Sequence, residues 1–374
     1  MRPFSLTTAL LAGLSLLVSN AAAQTWTDCN PLERTDCPNM PALSTNMTFN
    51  LTEGKLFSRD LWNTTNGKIR DSDEGALFKI GGRGDSPTIQ SKFYIFFGTV
   101  QVVMRAARGR GVISSIVLQS EDLDEIDWEF KGGDEEHVHT NYFGKGDSEN
   151  FDRGEHHEVE SPMDSFHNYT VNWNQDVLEW WINNKKVRTL KYSEASNGTR
   201  YPQTPVTVRL GIWVGGDPEV GNTNGTVEWA GGLTDYNEAP FTMTVASVYA
   251  RDAHQAKEYR WGDKTGSWES IELIQGKSIV VDYQETPHGV KNRWNALPQA
   301  AQIGIICGTS GGALTILAFI AFCCIKQRRA GRREYAAAMA IQQREALEDA
   351  EHKRRMAADE GYSWAKQNES YRRI

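Results

Sequence analysis

The sequence predicts an all-β sandwich or jelly roll outside the cell, followed by one C-terminal membrane-spanning helix. Three observations carry that expectation. Short segments of alternating apolar and polar residues, bounded by Gly, Asn, Asp and Pro, recur from about residue 40 to 251, the pattern of strands joined by tight turns. An uncharged apolar stretch of 23 residues runs from Ile303 to Ile325. As a helix it would be ~34 Å long, sufficient for a hydrocarbon core of about 30 Å. The opening "MRPFSLTTALLAGLSLLVSNAAA" has a basic residue, an apolar run and a small-residue site, as secretory signals do.

Taken in order, residues 1–23 form that signal, with an apolar run from Leu10 to Val18 too short to span a bilayer and cleavage expected near Gln24. Next come Cys29 and Cys37, the only cysteines expected outside, which in an oxidising space should pair across a short loop. The strand-like segments then follow: "KFYIFFGTVQVVMRAA", "VISSIVLQS", "EIDWEF", "YTVNWN", "VLEWWINNKKVRTLKY", "VTVRLGIWV" and "FTMTVASVYA". Asn183, Asn184 and Lys185 should turn a hairpin, and no long amphipathic helix is expected before the span. Alternation assigns Trp128, Trp173 and one of Trp180 and Trp181 to the core.

Beyond the strands, "RWGDKTGSWES" should close a domain spanning 24–270, and 271–302 should be a stem. The span, 303–325, is followed at once by Lys326, Arg328, Arg329, Arg332 and Arg333, a basic cluster that stays cytoplasmic. Residues 24–302 therefore face outward and 326–374 inward. The charged, Ala-rich tail excludes a glycolipid-anchor signal, which would end in a hydrophobic run, and suggests a helix from Tyr335 to Asp359. Cys323 and Cys324 beside the basic cluster suit palmitoylation or plain apolar packing in the span equally. The tail carries a net charge of +4 and the exterior −13, which argues against nucleic acid as a partner. Six sequons begin on the outward side at Asn46, Asn50, Asn63, Asn168, Asn197 and Asn224, candidates for N-glycosylation.

The chemistry is concentrated in "DEIDWEF", residues 124–130. On a strand, Glu125, Asp127 and Glu129 share one face while Ile126, Trp128 and Phe130 point into a core. A solvated strand face would show acids too, but Asp and Glu are poor strand formers and neighbouring like charges repel. Glycoside cleavage uses such a face: one carboxylate attacks the anomeric carbon and a second donates a proton to the leaving oxygen. Carboxyl groups about 5–5.5 Å apart serve retention and about 6.5–9.5 Å serve inversion. Cα atoms at i and i+4 of a flat strand lie ~13 Å apart, so leaning side chains can reach either separation and the stereochemical outcome stays open. Three close acids titrate as a unit with at least one kept neutral, and Asp127 is placed to orient its neighbours.

Together with "TNYFGKGD" (140–147) and "GIWVGGDP…GTVEWAGGLTDY" (211–236), the acidic strand resembles glycoside hydrolase family 16, and more narrowly the fungal Crh (Congo red hypersensitive) cell-wall transglycosylases. The likeness covers roughly 25–270. It implies a jelly roll with a concave cleft, Glu125 as nucleophile, Asp127 as the assisting acid and Glu129 as acid/base. It also implies sugar binding by Glu129, Arg209, Trp213 and Thr226, with a couple of extra residues between Trp213 and Thr226. The implied substrates are chitin and β-glucan, joined through a glycosyl-enzyme intermediate, and no cofactor is called for. Trp213 and Trp229 suit stacking on sugar rings in any case, and Gly215, Gly216, Gly231 and Gly232 suit close approach of a ligand. Two features depart from the family pattern: Lys131 stands where an apolar residue is expected, and a membrane span replaces the glycolipid anchor.

Other motifs have duller readings. His137, His139, His156 and His157 lack a third ligand at metal-binding spacing and read as surface residues, so no metal site is expected. Arg83-Gly84-Asp85 reads as a turn rather than an adhesion motif. A β-1,3-glucan hydrolase, or a non-catalytic sugar-binding wall sensor, are the rival functions.

Overall fold

A computed structural model describes residues 26–147 and 153–371; the signal segment and Gln24 lie outside them. The chain forms two compact units that meet in sequence between Thr286 and Pro287.

The first unit is a β-sandwich. One sheet has seven antiparallel strands in the order Glu155–Glu158, His137–Phe143, Glu125–Lys131, Val112–Ser120, Val206–Val214, Thr88–Ser91, Trp62–Asn66. The other has eight, with Gly98–Arg105 and Phe241–Asp252 at its centre. A small third sheet joins Met40–Pro41, Glu258–Trp261 and Ile271–Ile274. The two large sheets share one continuous apolar core, in which Trp128 and Phe130 of one sheet pack against Tyr169 of the other. Trp128, Trp173 and Trp180 are all buried, while Trp181 is half-exposed. Strand Gly98–Arg105 shows the clean alternation of a one-sided sheet. Val112–Ser120 and Val206–Val214 are buried on both faces because they lie at the centre of their sheet.

The structure revises the expected boundaries in three places. Residues 92–97 are not strand. Phe97 has φ 60° and Gly98 φ 131°, and a Cβ on Gly98 would collide with the Arg251 carbonyl, so the chain breaks before the strand begins. The hairpin turn is Asn183-Asn184 alone, both at positive φ, with Lys185 already paired. Folded structure also continues beyond 270, since Ile271–Ile274 pairs with Glu258–Trp261. A helix Ile279–Glu285, capped by Ser278 and burying Val280, then packs into the same unit.

In the second unit a short helix Gly289–Ala296 precedes a continuous helix Gln299–Tyr371. That long helix contains the expected span and the expected tail helix without a break, and among the described residues it alone is long and apolar enough to cross a membrane.

Candidate active site

Strand Glu125–Lys131 is the third of seven in its sheet, paired with His137–Phe143 on one side and Val112–Ser120 on the other. Ile126, Trp128 and Phe130 are fully buried in the core, so Glu125, Asp127, Glu129 and Lys131 occupy the opposite face. The indole of Trp180 in the other sheet donates to the Asp127 carbonyl at 3.2 Å, fixing the strand from beneath. The register carries that face across the sheet: Asn141, Asp127, Val117, Arg209, Gln90 and Asn63 stand in one transverse row. His139, Glu129 and Ser115 form the row beside it, and Phe143, Glu125, Gln119 and Thr207 the row on the other side.

The three acids form one electrostatic cluster. Asp127 is buried (2 % exposed), while Glu125 and Glu129 are half-buried. Burial pushes Glu125 up to about 7, against a hydrogen bond with Asp127 and the charge of Arg209, both of which favour its ionised form. Burial and the neighbouring Glu125 charge push Glu129 up to about 8, opposed by Lys131. Asp127 is raised well above the ordinary range by burial and by its two acidic neighbours. The trio thus keeps a proton on Asp127, which donates to Glu125, and Glu125 loses its own proton before Glu129 does.

Arg209 lies two strands from Asp127, almost wholly buried, its guanidinium covered by Trp26 at 5.3 Å and donating to the Trp26 carbonyl at 3.1 Å. Burial works against its charge; Glu121 and Glu125 support it. Trp213 lies on the acid-bearing side but is only 7 % exposed, because Trp229 and Ala230 cover it. Trp229 ends the short helix Asn224–Trp229, whose N-cap is Thr223. Thr226 sits in that helix with its hydroxyl 2.9 Å from Thr223 Oγ1. Lys131 extends the acidic face and places its ammonium 4.9 Å from the Trp229 ring, so the unexpected cation is paired with an aromatic.

Cys29 and Cys37 are joined by a disulfide. The asparagines of all six sequons, Asn46, Asn50, Asn63, Asn168, Asn197 and Asn224, are exposed or half-exposed. Arg83 pairs with Asp217, and Asp85 accepts from the amides of Gly81 and Gly82, which is the turn expected there. Among the described residues no group of three or more potential ligands could hold a metal.

Several site residues were not apparent from sequence. Of the histidines expected at the surface, His157 is buried against the Thr140 hydroxyl and His139 is half-buried: it faces Glu129 across the strand pair, packs against His156 and Trp229, and is held neutral by burial, which pushes it down to about 3. Asp122 and Asp124, both buried, anchor the turn that enters the acidic strand. Thr204 Oγ1 lies 2.7 Å from Asp122 and 2.9 Å from Asp124, and the amides of Lys145 and Gln203 donate to Asp124. Only strand pairing brings Thr204 to that turn, so no spacing announces it.

Residues 57–231 match the family described as Glycosyl hydrolases family 16. A Crh-like protein of Arthroderma benhamiae is 52 % identical over 322 residues, 86 % of this chain and 87 % of its own. Congo red hypersensitive protein 1 of Saccharomyces cerevisiae is 44 % identical over 257 residues, 69 % of this chain and 49 % of its own. Among solved structures, a Crh5 transglycosylase in complex with NAG is 50 % identical with a TM-score of 0.63, covering 66 % of this chain and 99 % of that one. A sandwich whose acid-bearing strand lies at the middle of a matched family segment thus agrees with sequence likeness over most of the chain: this protein belongs to glycosyl hydrolases family 16, among its Crh-like members.

Proposed function

We propose that this chain is a retaining transglycosylase of the fungal cell wall, cleaving chitin and passing the glycosyl group to β-glucan or chitin acceptors. One observation carries the reading: Glu125, Asp127 and Glu129 share one strand face, with Asp127 hydrogen-bonded to Glu125 and burial keeping Glu129 protonated to higher pH than Glu125. Glu125 would attack the anomeric carbon as the bond to the glycosidic oxygen breaks, and Glu129 would hand its proton to that oxygen. In the second half, the Glu129 carboxylate would take the proton from an acceptor hydroxyl whose oxygen attacks the same carbon, releasing Glu125. Asp127, donating to Glu125, would hold the nucleophile in place and stabilise its charge as it leaves. Arg209, Trp213 and Thr226 are assigned to sugar binding on the likeness to the family.

The apolar stretch of the long helix and the basic residues after it support single-pass anchoring, with the sandwich facing the wall and the tail inside. Full-length protein in detergent, incubated with a chitin oligomer and a labelled β-glucan acceptor, tests the whole reading. Hybrid product from wild type and a loss of at least about 1,000-fold in Glu125→Gln are expected. Reducing ends accumulating without hybrid would make the enzyme a hydrolase, and undiminished activity in the variant would remove Glu125 from its role.

A further inference from the structure

Residues 26–37, which open the described part of the chain, do not trail from the domain. They lie across the acid-bearing face beside Glu125. The Trp26 amide donates to Gln119 Oε1 at 3.2 Å, and Gln119 is the direct cross-strand partner of Glu125. Arg209 donates to the Trp26 carbonyl and stacks on its indole. Thr27 donates to Glu121 at 2.6 Å, and the disulfide Cys29–Cys37 closes the loop that follows. Backbone atoms therefore fasten this segment, yet its largest apolar side chain stays 44 % exposed. An indole held on one face by Arg209 at a polar cleft has its orientation set while much of its surface stays open to a ligand. That is how a site binds a ligand surface through an aromatic at low entropic cost.

The same segment walls a cavity of ≈ 540 Å³ whose floor includes Gln90 and Asn63. These two residues continue the transverse row that starts at Asp127 and passes through Arg209. At about 4.8 Å between strands the row runs on the order of 14 Å from Asp127 to Gln90, so the cavity prolongs the catalytic face. Its charged lining is mixed, with Asp28, Asp36 and Glu121 against Arg34 and Lys92, and Arg34 is paired with Asp36. A lining of both signs with many hydroxyl, amide and carboxylate groups suits a neutral, hydroxyl-rich polymer better than an anion.

We propose that Trp26 and the Cys29–Cys37 loop form a glycan-binding subsite that holds the stretch of polysaccharide lying across the Arg209 side of the cleft. The proposal rests on the glycoside-transferring reading of the same face. Its test is the dependence of affinity on oligomer length, measured by titration calorimetry on full-length Glu125→Gln protein in detergent with chitin and β-1,3-glucan oligosaccharides. Asn63 heads a sequon at the cavity, so every protein also carries Asn63→Gln and only added sugar can fill the space. Trp26→Ala should weaken binding of long oligomers about tenfold and flatten the rise of affinity with length. Trp26→Phe should keep most of that rise, and Cys29→Ser/Cys37→Ser, which frees the loop, should reproduce the flattening. Trp26→Ala with the unaltered length dependence, or the absence of binding by either glycan series, overturns the subsite. A Trp26-dependent affinity in a chain whose wild type transfers nothing would retain the subsite and sink the transferase reading instead.

Discussion

At the residue scale, the three acids differ in what their neighbours do to them. Glu125 must be ionised to attack and Glu129 protonated to donate, so activity rises with pH through about 7 and falls through about 8. Both limbs belong to the coupled trio rather than to single residues. The Lys131 ammonium favours the ionised form of Glu129. Removing that charge in Lys131→Met therefore raises the proton affinity of Glu129 and shifts the alkaline limb of kcat/KM upward, leaving the acid limb in place. A pH–rate profile checks this, and an alkaline limb that stays put or moves down refutes it. The identity of the acids was legible because alternation puts i, i+2 and i+4 on one face. Their neighbours His139, Gln119 and Trp26 were not, because register, which no single segment encodes, decides who stands opposite whom.

At the element scale, the acidic strand is held by groups outside it: the Trp180 indole beneath its middle, and Asp122 and Asp124 at its entry. Thr204→Val deletes the hydroxyl shared by those two buried carboxyls and leaves them short of a partner. Such a loss costs about 1–3 kcal/mol of stability. Denaturant unfolding should show it, with kcat falling as Glu125 loses its fixed position and KM for short oligomers changing less. A variant as stable and active as wild type would mean the turn holds itself. The strands that sequence revealed were the β-branched and aromatic ones, such as Val112–Ser120 and Val206–Val214. Short polar strands such as Trp62–Asn66 and Glu155–Glu158 were not revealed, since they lie toward the sheet edges and carry little apolar signal. Residues 92–97 misled in the opposite way: Phe93, Phe96 and Phe97 are buried but in irregular backbone.

At the scale of the whole molecule, the sandwich and the long helix are separate units, and their proposed roles separate experimentally. A chain ending at Thr286 should be released into the culture medium and still transfer glycans, whereas the full chain should stay in the membrane pellet after alkaline carbonate. Extraction of the full chain by carbonate would end the spanning proposal. The strands Val112–Ser120, Glu125–Lys131 and His137–Phe143 follow one another as a meander, but Val206–Val214 arrives from far along the chain to complete the face. Local pairings close cheaply while distant ones bear the larger loop-closure entropy. A half-folded chain would thus already carry its three acids in line while lacking the arginine and the tryptophans that complete the cleft. Competence to handle sugar would arrive only with that later, long-range contact, so the enzyme would stay inert until its own assembly was finished.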